Sequence, residues 1–387
     1  MSSTRTRPTS GPGASRHPRG RHADGPGEIP AKGWTEVLWR VYDEINKDRV
    51  MLIAAGVTYY ILLAFVPGLT AFLSLYGLVA DPATVAEHVG DLQGLVPGGA
   101  LDILNEQLTR LASEGETTLG LTLLISVAIA LWSANAGIKA LFEAMNIAYD
   151  EVETRSFLKL NAVSLLFTFG AIVMMGLMLG VVIVLPTVLS FIGLGEGTEW
   201  LLRIAGFVAL LLVLSLGIAA LYRWGPDRAS PKWRWITPGA ILALLATIVV
   251  SALFSWYAAN FGSYNATYGS LGALIGFMTW IWLTSILLIV GGELNSELEH
   301  QTARDSTTGA ERPLGSRGAI MADTVAGLDE TAAADSGLSG QEHRRGRREG
   351  RIEGRREGVA WGTLVVAVPA ALLLTVLQRR AEKSGRW

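Results

Sequence analysis

Five polar residues, Asn135, Lys139, Glu143, Asn146 and Asp150, follow one another at steps of four, four, three and four, beginning inside a strongly apolar stretch. On an α-helix this spacing puts them on one side. Ionisable groups at membrane depth face a bundle interior or a water-filled path and mark routes for ions and solutes. The stripe is therefore expected to line a polar groove opening inward. A plainer reading stays open: from Glu143 onward the helix has already left the membrane, and Lys139 extends its amine to the surface along an apolar stem.

Three further sets of residues could complete such a groove. Thr58, Tyr59 and Tyr60 lie near one end of an earlier apolar stretch with Pro67-Gly68 in its middle, where proline removes a backbone hydrogen bond and is expected to kink the helix. The uncharged turn from Phe261 to Ser270 carries Tyr264, Asn265 and Tyr268, suited to a polar headgroup or simply to a tight turn. Arg223 and Lys139 are the natural counter-charges for an anionic headgroup. Glu293, directly after Gly291-Gly292, is a candidate partner for Lys139. Gly272 with Gly276, and Gly176 with Gly180, are small-xxx-small faces that report close helix packing rather than chemistry.

Enzyme chemistry finds little to work with. The five histidines, His17, His22, His88, His300 and His343, show no metal-ligand spacing. There is no phosphate-cradling GxxxxGK[ST] loop and no GxSxG elbow. Without cysteine there is no disulfide, thiolate site or thiol nucleophile. No catalytic residue, cofactor or metal is expected.

The elements that position these residues are membrane spans. Half of the 387 residues are hydrophobic, 17% are charged and mean hydropathy is +0.37, an average that hides polar ends around an apolar middle. Stretches 51–78, 119–142, 160–191, 201–222, 238–261 and 270–292 are each long enough to cross a bilayer, which takes roughly 20 residues. The fold class is thus all-α, a polytopic helical membrane bundle. Trp34, Val37, Leu38, Val41 and Ile45 recur at helical steps ahead of the first span, predicting an amino-terminal helix in the interface. Segment 80–118, acidic with a single basic residue at Arg110, is expected outside as a helical cap; the loop around Arg223, Arg228, Lys232 and Arg234 is expected in the cytoplasm with the amino terminus.

The ends read differently. Residues 1–33 and 301–358 are poor in apolar groups and are expected to be disordered. An arginine-rich run, His343 to Glu357, precedes Val359–Leu377, which has no charge, so 359–378 is a candidate seventh span and 379–387 a short basic tail. The run could face nucleic acid, but its interleaved glutamates and the adjoining span favour the lipid surface. No nucleic-acid partner is expected.

Several runs resemble the YihY/BrkB family of bacterial inner-membrane proteins, once labelled ribonuclease BN. They are Ala54-Ala-Gly-Val-Thr-Tyr59-Tyr60 through Pro67, Ala140-Leu-Phe-Glu-Ala-Met-Asn146-Ile-Ala-Tyr149, Leu221-Tyr222-Arg223 with Pro226-Asp227-Arg228, Trp233-Arg234 with Pro238-Gly239-Ala240, Tyr257, Phe261 to Gly272, and Gly292-Glu293-Leu294-Asn295. The resemblance covers about residues 34–300. It implies six helices in the cytoplasmic membrane, an association with the cell envelope and, in some members, with virulence. It leaves the molecular activity undefined, and the clustered histidines and acids of a metal-dependent nuclease are missing.

The leading expectation is passage of a lipid or other amphipathic envelope molecule between leaflets. Asn135, Lys139, Glu143 and Asn146 would line the groove, Tyr59, Tyr60 and Pro67 the opposing wall, and Tyr264, Asn265 and Tyr268 the outer mouth. Membrane lipids are the expected partners, with envelope proteins or a homo-oligomer beside them. The competing expectation is a non-transporting scaffold acting through its tails.

Overall fold

The computed structural model describes residues 19–79, 116–179, 181, 196–261 and 271–327. The external segment from 80 to 115, the turn with Tyr264, Asn265 and Tyr268, the arginine run and the candidate seventh span lie outside them. The chain divides into two compact units, Met1–Val325 and Ala326–Trp387, and only Ala326 and Gly327 of the second are described.

The first unit is helical: α1 (Ala31–Lys47), α2 (Val50–Val79), α3 (Glu116–Ala148), α4 (Phe157–Leu179), α5 (Glu196–Trp224), α6 (Trp233–Phe261), α7 (Leu271–His300) and a single turn, α8 (Ile320–Asp323). Among the described residues, five helices are long and apolar enough to cross a membrane, or six if α1 and the start of α2, bent at 61°, count as one span. Several run beyond the apolar stretches, three of them at their charged ends. α3 continues to Ala148, α6 begins at Trp233 and α7 reaches His300. Hydropathy stops at the first charges, but the helix does not: the 33 residues of α3 span about 50 Å at 1.5 Å per residue, more than the roughly 30 Å hydrocarbon core. α2 passes unbroken through Pro67, and the bend at this end of the chain is the α1–α2 joint.

α3 lies along α2, α7 packs on α6, α2 and α3, and α5 flanks α6; α4 packs on α3 and α5. Lipid is as apolar as the helices, so close association needs small residues and polar bonds. Both appear where α6 crosses α7. A Cβ at Gly239 would clash with the Gly291 carbonyl and with Asn295, and a Cβ at Gly291 would clash with the Tyr222 hydroxyl. Asn295 uses this closeness: Gly239 N–H donates to its Oδ1 at 2.8 Å, and its Nδ2 donates to the Ile236 carbonyl at 3.1 Å. Tyr222 donates to the Leu288 carbonyl at 2.8 Å.

The buried core gathers at one end of the bundle, here called the polar end. Val50, Ala54, Phe142, Met145, Tyr222, Ile236 and Ile289 form one cluster there. Val37 and Val41 of α1 pack with Trp235, Leu294 and Leu298 in another. The apolar face expected on α1 is therefore divided: Val37 and Val41 dock on the bundle, while Leu38, with neighbouring Trp39 and Tyr42, stands exposed.

Both expected disordered ends need correction in part. Residues 19–30 form a strap, with a single 3-10 turn at Pro26–Glu28 and with Ala23 and Ile29 buried. Residues 301–325 form a second strap, bridged to the α5–α6 loop at Pro231 and Thr307 and ending in α8. The two straps bond each other: Ala303 N–H donates to the Arg21 carbonyl at 2.9 Å, Thr302 to the Ala23 carbonyl at 2.8 Å, and Gln301 to the Arg19 carbonyl at 2.7 Å. Arg317 is buried and donates to the carbonyls of Ala303, Arg304, Arg312 and Ala322, while Asp323 accepts the N–H groups of Gly315, Arg317 and Gly318. Segments too polar to form a core of their own fold here because the bundle lends them one.

Candidate functional site

The stripe on α3 does not form one continuous surface. Its first two members face α4. Asn135, buried, donates through Nδ2 to Asn161 Oδ1 at 3.5 Å, and Lys139 Nζ donates to the same oxygen. Asn161 is followed on α4 by Ser164 and Thr168, at steps of three and four, and both are buried. Asn135, Lys139, Asn161, Ser164 and Thr168 thus make a polar seam between α3 and α4. The open groove expected from the sequence is not found at these residues: Asn135, Ser164 and Thr168 are buried, and Lys139 and Asn161 are half-exposed. Asn135 Nδ2 and Lys139 Nζ share Asn161 Oδ1, while Asn135 Oδ1 has no hydrogen-bond partner among the described residues.

Tyr59 and Tyr60 lie elsewhere. A Cβ at Gly137 would sit 3.8 Å from Tyr60 Cβ and 3.6 Å from Ile61, so the Gly137 side of α3 meets α2. Gly137 is two residues from both Asn135 and Lys139, about 200° around the helix. The tyrosines and the seam therefore flank opposite sides of α3. Tyr59 is exposed, its ring 5.6 Å from that of Tyr60, and Pro67 is half-buried on α2.

The lower stripe belongs to the polar end. Asn146 accepts the Asp227 N–H at 2.7 Å and donates to Glu153 at 3.0 Å. Arg155 donates to Glu153 at 2.7 Å and to the Gly225 carbonyl at 2.8 Å, with its guanidinium over the Phe142 ring. Thr154 N–H donates to Asp227 at 2.7 Å. These bonds clamp the α3–α4 turn to the α5–α6 loop. Glu143 is exposed, and Asp150, also exposed, closes α3 in the left-handed conformation at φ 56°. Arg223 lies between the rings of Trp224 and Trp233 and donates to the Pro231 carbonyl.

Beneath the clamp is a buried ion pair. Arg228 and Glu299 meet at 2.6 Å with both side chains wholly shielded. Ser306 adds a bond to Glu299 at 2.6 Å, and the Arg228 guanidinium sits 4.5 Å from the centre of the Tyr149 ring. Burial pushes the Tyr149 hydroxyl far above its ordinary range. Glu151 lies beside this group and accepts the Ile320 N–H at 2.7 Å. Burial pushes its carboxyl up to about 7, against the pull of the Ile320 bond and of Arg228.

Glu293 does not meet Lys139. It is buried on α7, and the charges that bear on it are those of Asp48, Glu44, Glu297 and Asp150. Glu297 is instead held by Arg40 of α1, which also donates to Gln301 at 2.7 Å. Among the described residues no group of three or more histidines and acids could hold a metal ion.

Sequence reasoning missed Asn161, whose only signal is an amide just inside an apolar stretch. It quoted Tyr149, Asp227, Arg228 and Asn295 as motif residues without assigning them roles. The bonds of the clamp join residues about 70 to 80 positions apart, such as Asn146 and Asp227, and no local pattern announces them.

The sequence matches the family model described as virulence factor BrkB over residues 41–314. That range includes the start of the second strap. Among curated relatives, the YfkH protein of Bacillus subtilis (strain 168), described as ribonuclease-like, is 31% identical over 63% of this chain and 88% of its own length. UPF0761 membrane proteins of Alkalilimnicola ehrlichii and of Neisseria meningitidis serogroup B are 28% and 27% identical, over 70% and 68% of this chain and 60% and 63% of theirs. The chain spans about three-fifths of the length of those two UPF0761 proteins. No solved structure matches. With its long apolar helices joined by α3–α4 and α5–α6 connections that lie within the matched residues, the chain belongs to the BrkB virulence-factor family of membrane proteins.

Proposed function

We propose that the protein lets a lipid or other amphipathic envelope molecule pass between leaflets of the bacterial cytoplasmic membrane, without a nucleotide motor of its own. The supporting observation is the seam itself: a hydrophilic track behind α4, whose outer side carries exposed Leu165, Leu166, Phe169, Ile172 and Val173. A headgroup crossing a bilayer needs polar partners along its way while its acyl chains stay in hydrocarbon. Parting α4 from α3 would offer that arrangement, with Lys139 as counter-charge and Asn135 and Asn161 as neutral donors and acceptors. In this reading the amino terminus and the polar end face the cytoplasm, in keeping with the arginines and lysines of the α5–α6 loop. Membrane lipids are the partners, with envelope proteins or a second copy of the chain as further ones.

The test is movement of labelled phospholipid in proteoliposomes without added nucleotide. Loss of movement in a Lys139→Ala, Asn135→Ala variant that still folds supports the reading, and movement indifferent to that change sinks it. The second reading, a membrane scaffold, is favoured by the folded straps, which present a built surface outside the spans. It predicts that deleting 326–387 or disrupting a strap abolishes a cellular phenotype while the core remains folded.

A further inference from the structure

Glu293 is a buried carboxyl that has no ion-pair partner among the described residues. It is 1% exposed, and its Oε1 has no hydrogen-bond partner among the described residues. Its backbone is wedged. Gly291 lies against Tyr222 and Gly239, and Gly292 against Met145 and Ala148.

The charged groups that act on it most strongly are acidic. Asp48 at the α1–α2 joint, Glu44 on α1, Asp150 at the end of α3 and Glu297 one turn along α7 all add negative charge around it. Tyr149, directly after α3, is buried, and its hydroxyl has no hydrogen-bond partner among the described residues. From α6, Gly239 and Ala243 pack against neighbouring Gly291, while Arg234 of that helix is exposed, as is Arg49 at the joint. The other nearby cations are already engaged: Arg40 with Glu297, Lys47 with Glu44 at 2.7 Å, and Arg228 with Glu299 at 2.6 Å. An ionised carboxylate here would be buried with no ion-pair partner among the described residues and with acidic groups as its strongest charged neighbours, which strongly disfavours it.

We propose that Glu293 is a proton-binding site, its carboxyl protonated in this closed arrangement and losing the proton to water when the α1–α2 joint moves away. The joint is suited to respond. It bends by 61° between α1 and α2, with Arg49 in the left-handed conformation at φ 54°. Ionising Glu293 places a further negative charge beside Asp48 and Glu44, which drives the joint outward, and closure of the joint restores the proton's affinity. The two are linked reciprocally. This inference concerns a different part of the molecule from the seam and stands whether or not the seam passes lipid.

The test is infrared spectroscopy of the full-length protein in nanodiscs of phosphatidylcholine and phosphatidylglycerol. A Glu151→Gln background removes the other carboxyl held near neutrality. At neutral pH that background should show the carbonyl stretch of a protonated carboxylic acid, and adding Glu293→Gln should abolish it. No such band, or a band that survives Glu293→Gln, overturns the proposal. Asp48→Asn should move disappearance of the band to higher alkalinity if its charge merely competes for the proton's place, and to lower pH if its negative charge helps hold the proton there. The proposal requires the second, and no shift or an upward one refutes the link to the joint. Thermal unfolding supplies an independent readout. The amide of Glu293→Gln mimics the neutral acid, so its midpoint at mildly alkaline pH should equal or exceed that of the parent. A clear fall, or failure to fold, would mean that the ionised form is the one the structure needs.

Discussion

The polar end and the α4 face obey different solvents. At the polar end Trp235, Tyr149, Tyr222, Glu297 and Glu299 are shut away, although two of the five are acids; along α4, Leu165, Leu166, Phe169 and Ile172 are exposed. A water-soluble protein would show the reverse preference. Hydrocarbon gives apolar helices no reason to associate, so the spans can leave leucine and phenylalanine outside without cost. Their mutual arrangement must then be fixed where polar bonds are available, and that is the end with the clamp, the Asn295 bridge and the two straps. The seam lies between these regimes, with polar side chains close behind a lipid-facing helix.

Breaking the buried pair should separate the two regions most sharply. Glu299→Ala leaves the Arg228 guanidinium shielded without its partner, and removing one member of a buried pair typically costs about 3–5 kcal/mol. Thermal unfolding in detergent should show a large loss, and a double Arg228→Met, Glu299→Met variant should recover part of it.

Next comes the α6–α7 crossing. Gly239→Ala drives a methyl into the Gly291 carbonyl and Asn295, and overpacking of this kind costs about 1–3 kcal/mol. By contrast a Cβ at Gly170 meets nothing within 4 Å, so Gly170→Ala should be neutral or slightly stabilising in the same assay.

The pH response has a definite sign. Glu151 is held at about 7 in the folded protein, against an ordinary 4.5. Between those values the folded state carries more proton than the unfolded one, so stability falls as pH rises through the window and levels off above it. The slope for one group cannot exceed about 1.4 kcal/mol per pH unit. Glu151→Gln should remove this component. Because Glu151 accepts the Ile320 N–H, protection of that amide from hydrogen exchange should change over the same window in the parent only.

The smallest effect belongs to the lipid face. Leu166→Ala, on an exposed position of α4, should change stability by less than about 0.5 kcal/mol. A fall of several times that size would show that α4 is covered by protein, as a homo-oligomer would cover it, and would erase the contrast drawn above.

Much of this architecture was legible from the chain alone. Apolar stretches of span length dictate helices in a membrane because hydrocarbon leaves no other way to satisfy the backbone, and the amphipathic spacing around Val37 and Val41 dictates α1. Motif residues such as Pro226-Asp227-Arg228 and Gly292-Glu293-Leu294-Asn295 announced the family. The stripe on α3 was visible as well, but its division was not. Helical spacing says which residues share a side, yet only a neighbouring helix decides what that side meets. Asn161 turned Asn135 and Lys139 toward α4, while Asp227 and Glu153 took Asn146 into the clamp. The straps were hidden for a related reason. Composition measures whether a segment can bury enough surface by itself, and residues 19–30 and 301–325 cannot; the tertiary structure decided their fate by providing the core and the carbonyls that they lack.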